Sequence, residues 1–275
     1  MLTYTDGFVK INGVNIHYYR TGGSKPPFIL LHGASDSGLC WTPVAELLSE
    51  RYDVIMPDAL GHGLSDRLGS DFTLNDNAAQ VVALVQELKI TAPLIMGHSM
   101  GAGTAVNIAV EYPHLPRAII LEDPAWFSRD ASASISEEDQ TRRTEEFVRY
   151  ITEATTRTRE ELIAECRQAN PLWSEAEIVP WAESKLQFDP AVFSTLQLKR
   201  PSYVDLVPRI ECPTLLITSD GGLVTAEKAE HASRLWKAQQ PFRWVQIKGA
   251  GHNIRREQFA AFCDALFAFL GDYAL

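Results

Sequence analysis

Residues 94–110, LIMGHSMGAGTAVNIAV, contain the most informative motif of the chain. A short apolar run at residues 94–96 is followed by Gly97-His98-Ser99-Met100-Gly101 and then by small and apolar residues in a helical pattern. A serine framed by glycines at such a junction is typical of a sharp strand-to-helix turn that exposes the hydroxyl group. The glycines are needed where backbones approach closely, and the N-terminus of the following helix favours an anion. Ser99 is therefore a candidate nucleophile, with an ordinary glycine-flanked turn as the alternative.

Short apolar segments alternate with amphipathic ones along most of the chain. Asn12-Gly13 is typical of a hairpin turn between the first two apolar segments. The later segments are continuous apolar runs, which is the pattern of strands buried on both faces of a parallel sheet. This alternation predicts a doubly wound α/β fold with a mostly parallel, eight-stranded sheet flanked by helices. The expected strands are residues 8–11, 16–20, 28–31, 54–56, 94–96, 118–121, 215–218 and 244–247.

The alternation stops between residues 124 and 207, where the sequence becomes charge-rich, helical in pattern and interrupted by prolines. We interpret residues 124–207 as a helical cap, or lid, inserted before the last two strands. Residues 1–123 and 208–275 then form one core domain. The alternative is a surface excursion whose aromatic residues only pack a small core of their own.

The composition of the chain argues against two classes of binding partner, nucleic acids and membranes. The 275 residues include 25 Lys and Arg against 35 Asp and Glu, a formal net charge of −10. Such an acidic chain lacks the electrostatic footprint for a phosphate backbone, so we expect no nucleic-acid partner. The apolar runs are too short to cross a bilayer, no signal-peptide pattern is visible, and the scattered cysteines suit a reducing compartment. We expect a cytoplasmic protein without a membrane partner. The sequence leaves open whether the protein forms a homodimer.

Two further motifs follow expected strand ends. His32-Gly33-Ala34-Ser35 would aim the N–H group of Ala34 at the same place as that of Met100. Two such donors form an oxyanion hole, and each is worth about 3–4 kcal/mol in the transition state. Gly249-Ala250-Gly251-His252 gives His252 the best context for a general base among the seven histidines. Because the histidines are scattered, without metal-binding spacing, we expect no metal and no cofactor.

In order and spacing, these motifs resemble those of the α/β-hydrolase superfamily. The resemblance rests on H-G-A-S at 32–35, P-D-A-L-G-H-G-L-S at 57–65, G-H-S-M-G at 97–101 and G-A-G-H at 249–252. It covers essentially the whole chain, cap included. It implies that Ser99 is the nucleophile, that His252 is the general base, and that Ala34 and Met100 supply the oxyanion hole. Water would then cleave an acyl-enzyme.

The carboxylate that would orient His252 is ambiguous in the sequence. The superfamily usually places it after the strand at 215–218, but that position falls on Gly222, and the nearest acid is Asp220. Other members place it at the end of the strand at 118–121, where Glu122-Asp123-Pro124 stands. We weigh Glu122 first, Asp220 second and Asp123 third. The structural alternatives are a strand-end carboxylate for Glu122 and a turn-capping aspartate for Asp220.

The sequence therefore predicts a serine hydrolase that cleaves a carboxylic ester or lactone. A carbon–carbon bond hydrolase of aromatic degradation, which uses the same triad, is one alternative, and a non-catalytic receptor for a small ligand is another. A serine at position 99 excludes the epoxide-hydrolase and dehalogenase chemistries, which need an aspartate there. Trp126 and Phe127, just beyond a strand end, predict a pocket for a small to medium apolar substrate.

Overall fold

The computed structural model describes residues 3–68, 76–126, 137–195 and 202–271. Within these residues, eight strands form one sheet in the order β1-β2-β4-β3-β5-β6-β7-β8. The strands are β1 Thr5–Ile11, β2 Val14–Arg20, β3 Pro27–Leu31, β4 Asp53–Pro57, β5 Leu94–His98, β6 Ala118–Glu122, β7 Thr214–Ser219 and β8 Phe242–Ile247. β1 and β2 are antiparallel to their neighbours, whereas every pairing from β4 to β8 is parallel. The predicted mostly parallel, eight-stranded sheet is confirmed.

The helices cover both faces of the sheet. They are α1 Thr42–Leu48, α2 Asp76–Glu87, α3 Met100–Glu111, α4 Glu137–Ala154, α5 Arg159–Ala169, α6 Glu175–Gln187, α7 Val192–Thr195, α8 Tyr203–Leu206, α9 Ala226–Leu235, α10 Ile254–Glu257 and α11 Phe259–Gly271. One hydrophobic core packs α1 and α11 against the sheet, and a second packs α2, α3 and α9 against the other face. The central strands are buried on both faces, which explains their continuous apolar runs.

Helices α4 to α8 lie between β6 and β7 in the chain, within the stretch predicted to be a cap. We call residues 124–207 the inserted segment. α5 and α6 pack with the end of α4 around a small core of their own that includes Leu162, Cys166 and Trp181. α6 also contacts α1 and the 3-10 turn at Gly38–Trp41, so the inserted segment is joined to the rest of the molecule. No helix of the described residues is long and apolar enough to cross a membrane.

Candidate active site

Ser99 occupies a sharp turn between β5 and α3. Its φ of 51° and ψ of −108° lie outside the favoured regions, at a cost of about 1–3 kcal/mol. A Cβ on Gly97 would collide with the backbone of Gly101, and a Cβ on Gly101 would collide with the carbonyl group of Leu31. The close approach of these backbones therefore requires both glycines. The turn leaves Ser99 at the carboxyl edge of the sheet.

His252 lies beside Asp123. Nδ1 of His252 and Oδ2 of Asp123 are 2.6 Å apart, and the Asp123 side chain is fully buried. The N–H groups of Leu223 and Val224 donate to the two carboxylate oxygens of Asp123, at 2.8 and 2.9 Å. Three polar contacts therefore fix the orientation of this carboxylate. Because Nδ1 is engaged, Nε2 is the nitrogen of His252 that is left for a hydroxyl group.

The sheet register places Ser99 and Asp123 side by side. His98 and Glu122, the last residues of β5 and β6, are partners in the parallel register. The N–H group of Ser99 donates to the carbonyl group of Glu122 at 3.0 Å. Ser99 and Asp123 each follow these partners directly, and both have positive φ, 51° and 39°. The register therefore brings the serine and the carboxylate bound to His252 to the same level of the sheet edge.

The prediction that Glu122 or Asp220 orients His252 is wrong. Glu122 is fully buried, and its two carboxylate oxygens accept hydrogen bonds from the N–H group and the guanidinium group of Arg255, both at 2.9 Å. Glu122 is thus paired with Arg255 of α10, whereas the residue that follows it, Asp123, is the one paired with His252. Asp220 accepts from the N–H group of Gly249 at 2.9 Å, so it stabilises the loop that carries His252.

Gly222 makes room for the carboxylate of Asp123. The superfamily's usual acid position falls on this glycine, and a Cβ there would lie 2.7 Å from both carboxylate oxygens of Asp123. A carboxylate from the end of β6 thus occupies the space beside the loop after β7. The sequence did contain a signal for this arrangement: a position without a side chain at 222 and an acid one residue beyond β6.

The turn after β3 contacts the Ser99 turn. The N–H group of Asp36 donates to the carbonyl group of Gly33 at 3.2 Å, which closes a four-residue turn in which Ser35 has a φ of 63°. A Cβ on Gly33 would lie 3.6 Å from the Cβ of Ser99. Ala34 is the second residue of this turn. Met100 directly follows Ser99 and begins α3, so its N–H group has no acceptor within the helix. The two predicted oxyanion-hole residues therefore belong to two segments that meet at Ser99.

Two neutral histidines hold these segments in place. The N–H group of Ala59 donates to Nε2 of His32 at 3.0 Å, so Nδ1 of His32 carries the proton and donates to the carbonyl group of Gly33 at 2.8 Å. Nε2 of His98 donates to the carbonyl group of His252 at 3.0 Å, which links the Ser99 turn to the His252 loop. Burial lowers the pKa of both rings, that of His98 well below its ordinary value.

The two predicted pocket residues have different outcomes. Trp126 stacks on Tyr203 with the ring centroids 5.1 Å apart and the planes at 11°. Trp126 also packs against the cluster formed by α8 and α9. Phe127 lies outside the described residues. The contacts of Trp126 are those of a packing residue, and its place in a substrate pocket stays a prediction.

An eight-stranded, mostly parallel sheet with a serine on the turn between β5 and α3 defines the α/β-hydrolase fold class. The alpha/beta hydrolase family matches residues 28–265 of this sequence. The chain belongs to this family.

Its relatives include enzymes with named hydrolytic activities. N-formylmaleamate deformylase from Pseudomonas putida is 26% identical over 274 residues, which are 97% of this chain and 95% of that protein. The structure of E-2-(acetamidomethylene)succinate hydrolase matches with a TM-score of 0.80 at 22% identity, covering 98% of this chain and 100% of the other. The enol-lactonase from Burkholderia xenovorans LB400 matches with a TM-score of 0.74 at 21% identity, covering 96% and 100%. At such identities the two structural matches show the fold alone. In curated relatives that are 35% identical, the match spans 42% of this chain and 33% of the relative.

Proposed function

We propose that the protein is a serine hydrolase that transfers the acyl group of a small carboxylic ester or lactone to water. The observation that carries this proposal is the hydrogen bond between Nδ1 of His252 and the buried carboxylate of Asp123, next to a serine on a strained turn. A carboxylate on Nδ1 selects the imidazole tautomer that has a free lone pair on Nε2. Asp123, rather than Glu122 or Asp220, is therefore the proposed third member of the triad.

In the acylation step, Oγ of Ser99 bonds to the substrate carbonyl carbon while Nε2 of His252 accepts the hydroxyl proton. The carbonyl π electrons move onto the oxygen, where the N–H groups of Ala34 and Met100 stabilise the negative charge. Collapse of this tetrahedral adduct breaks the bond to the leaving oxygen, which takes the proton from His252. In a lactone, the released hydroxyl group stays attached to the acyl chain.

Deacylation repeats these steps with water. Nε2 of His252 accepts a proton from the water as its oxygen bonds to the acyl carbon, and the adduct expels Oγ of Ser99, which regains the proton. The products are a carboxylic acid and the free enzyme. Throughout, the ionised carboxylate of Asp123 stabilises the imidazolium form of His252 without accepting its proton.

A second candidate reaction is hydrolysis of an N-acyl bond, with the amine leaving on the proton that His252 supplies. The relative that matches 97% of this chain is a deformylase, which favours this candidate. The inserted segment, as a lid over the site, would select between the two substrate classes.

The test is a substrate panel measured with the wild-type protein and with Ser99→Ala. The panel holds p-nitrophenyl esters of increasing acyl length, five- and six-membered lactones, and N-formyl amides. We expect hydrolysis by the wild type and a loss of at least about 10³-fold in Ser99→Ala. Ser37→Ala, which removes a buried hydroxyl group next to Cys40, is the matched control and should retain activity. A wild type that neither turns over any substrate nor reacts with a fluorophosphonate at Ser99 would contradict the proposal and favour the receptor alternative.

A further inference from the structure

Six charged side chains are buried together around the turn after β3 and the helix that follows His252. Three are negative and three are positive: Asp36, Glu122, Glu177, Lys185, Arg255 and Arg256. They come from the turn after β3, the end of β6, helix α6 of the inserted segment, and α10. A buried charge is costly unless it is paired. Each ion pair of this cluster therefore constrains the relative positions of the elements that carry it.

Lys185 connects α6 to the turn that carries Ala34. Its side chain is 1% exposed, and Nζ donates to the carbonyl group of Ser35 at 2.8 Å. Nζ also lies 3.2 Å from Oδ1 of Asp36 and 3.2 Å from Oγ of Ser184. Oδ2 of Asp36, in turn, accepts from Arg256 at 3.0 Å. The ammonium group of Lys185, which belongs to the inserted segment, thus donates a hydrogen bond to the backbone of the turn that is proposed to form the oxyanion hole.

This turn needs an external constraint. Ser35 has a φ of 63°, in the left-handed region that favours glycine over a residue with a side chain. The hydrogen bond that closes the turn, from Asp36 to Gly33, is 3.2 Å long. The bond from Lys185 fixes the carbonyl group of Ser35 and therefore the peptide plane that leaves the strained residue. Because the four residues form one closed turn, fixing this plane also restricts the N–H group of Ala34.

We propose that Lys185 is a positioning residue for the oxyanion hole: it holds the N–H group of Ala34 in the orientation that stabilises the transition state. The inference rests on the proposed function and adds to it a role for the inserted segment. Nζ of Lys185 acts through Ser35 and Asp36 rather than on the reacting atoms. Because the oxyanion exists only during the reaction, loss of the Lys185 contact lowers kcat and leaves KM nearly unchanged.

The first measurement compares Lys185→Met with the wild type on p-nitrophenyl acetate. Active sites are titrated with a fluorophosphonate, so that kcat is expressed per reactive Ser99. We expect kcat to fall about 10- to 100-fold with KM within about twofold of the wild-type value. Arg159→Met is the matched control, since Arg159 pairs with Glu183 on the exposed surface of the same segment; its kcat should stay within about twofold.

The second measurement places Lys185→Met in a Ser35→Gly background. Glycine adopts a positive φ without a steric penalty, so the turn should depend less on the lysine. We expect the loss of kcat caused by Lys185→Met to shrink to about threefold or less in that background. A purely structural role would lower the melting temperature and the yield of titratable sites, but it would produce the same loss per site in both backgrounds. That equal loss would overturn the inference.

Lys185→Gln, which keeps a neutral N–H donor, is measured in parallel in case the methionine variant does not fold. A loss of kcat per reactive site in Lys185→Gln that is equal in the serine and glycine backgrounds would also overturn the inference. A wild type without any Ser99-dependent reaction overturns the proposed function and this inference together. A reactive wild type with an equally active Lys185→Met variant overturns this inference alone.

Discussion

Backbone strain is concentrated around the candidate site. Three of the six non-glycine residues with positive φ in the described part of the chain are Ser35, Ser99 and Asp123. Such conformations persist only where neighbouring groups determine them. The N–H group of Ser99 donates to Glu122, that of Asp123 donates to Ile217, and the carbonyl group of Ser35 accepts from Lys185. Hydrogen bonds from adjacent elements therefore maintain each strained residue in place.

Asp123→Asn tests the acid that the geometry selects. The asparagine keeps the shape of the side chain, but its amide group can donate to Nδ1 of His252 and so favour the wrong tautomer. We expect kcat to fall by about 10⁴-fold, the loss found when a triad aspartate is amidated. Asp220→Asn is the matched control, because Asp220 bonds the loop of His252 at Gly249 without touching the ring. A larger loss in Asp220→Asn than in Asp123→Asn would contradict the assignment.

Moving the carboxylate from β6 to the loop after β7 is a second test. A Cβ at Gly222 would point at the carboxylate oxygens of Asp123, 2.7 Å away, so Gly222→Asp alone should clash and place two like charges together. In Asp123→Gly this space is empty, and glycine suits the φ of 39° at that position. We expect the kcat of Asp123→Gly/Gly222→Asp to be at least about tenfold higher than that of Asp123→Gly. Equal activity of the single and double variants would show that position 222 cannot serve His252.

The sequence was sufficient to locate the candidate nucleophile and base but not the acid. Ser99 and His252 stand in glycine-framed motifs, whose meaning is local. The choice among three acids depends on which side of a strand end a carboxylate faces, and on the collision that a side chain at Gly222 would cause. Both are properties of the packed sheet. The structure also shows that both carboxylate oxygens of an acid at a strand end can accept hydrogen bonds from an arginine, as those of Glu122 do from Arg255.

At the level of elements, β2 and the loop after β4 are joined through Asp58. Its carboxylate accepts from Nδ1 of His17 at 2.8 Å, from the N–H group of Gly38 at 2.7 Å and from that of Leu64 at 3.0 Å. His17 is fully buried, and Nε2 lies 3.4 Å from Oδ2 of Asp6. Burial lowers the pKa of His17, but the hydrogen bond and charge of Asp58, with Asp6, outweigh this and raise it above 6.5. This histidine has no motif around it, so the sequence does not mark it as buried.

The raised pKa makes the contribution of His17 to stability dependent on pH. Below the unfolded-state pKa of 6.5 both states bind the proton and the ion pair contributes fully; the contribution is lost as pH rises through the folded-state pKa. We therefore expect His17→Asn to lower the melting temperature more at about pH 6 than at about pH 9. His114→Asn, at an exposed position, is the control and should show no such difference. An equal effect of His17→Asn at both pH values would mean that the charge of His17 is unimportant.

The elements themselves were predictable where burial alone produces their pattern. The strands of the parallel sheet are apolar on both faces, so their runs appear directly in the sequence. The short helix α10 has no such pattern. It contains Arg255 and Arg256. Both are buried because the carboxylates of Glu122, Asp36 and Glu177 accept hydrogen bonds from their guanidinium groups. Partners that are far apart in the sequence determine this helix.

At the scale of the whole molecule, one cluster of buried charges is neutral although the chain is acidic. The chain has a net charge of −10, yet the six buried charges described above balance. Arginine, lysine and glutamate are almost never fully buried unless they are paired, so the sequence alone favours a surface position for each of them. The structure instead places Glu177 and Arg256 in contact, with Nε of Arg256 3.0 Å from Oε2 of Glu177. This pair joins the inserted segment to the helix after His252.

A double-mutant cycle on this pair tests whether it holds the inserted segment to the core. Glu177→Gln and Arg256→Met each leave a buried partner with less compensation, so each should lower the free energy of unfolding by about 3–5 kcal/mol. The double variant should be more stable than the sum of these losses predicts, by about 1–3 kcal/mol. Urea denaturation measures the free energy of unfolding of all four proteins.

The control cycle uses Arg167 and Glu175, an exposed ion pair within the inserted segment, which should show no measurable coupling because water and salt screen it. Strict additivity at Glu177 and Arg256 would mean that the two residues stabilise the molecule independently, and that the inserted segment is attached to the core by its apolar contacts.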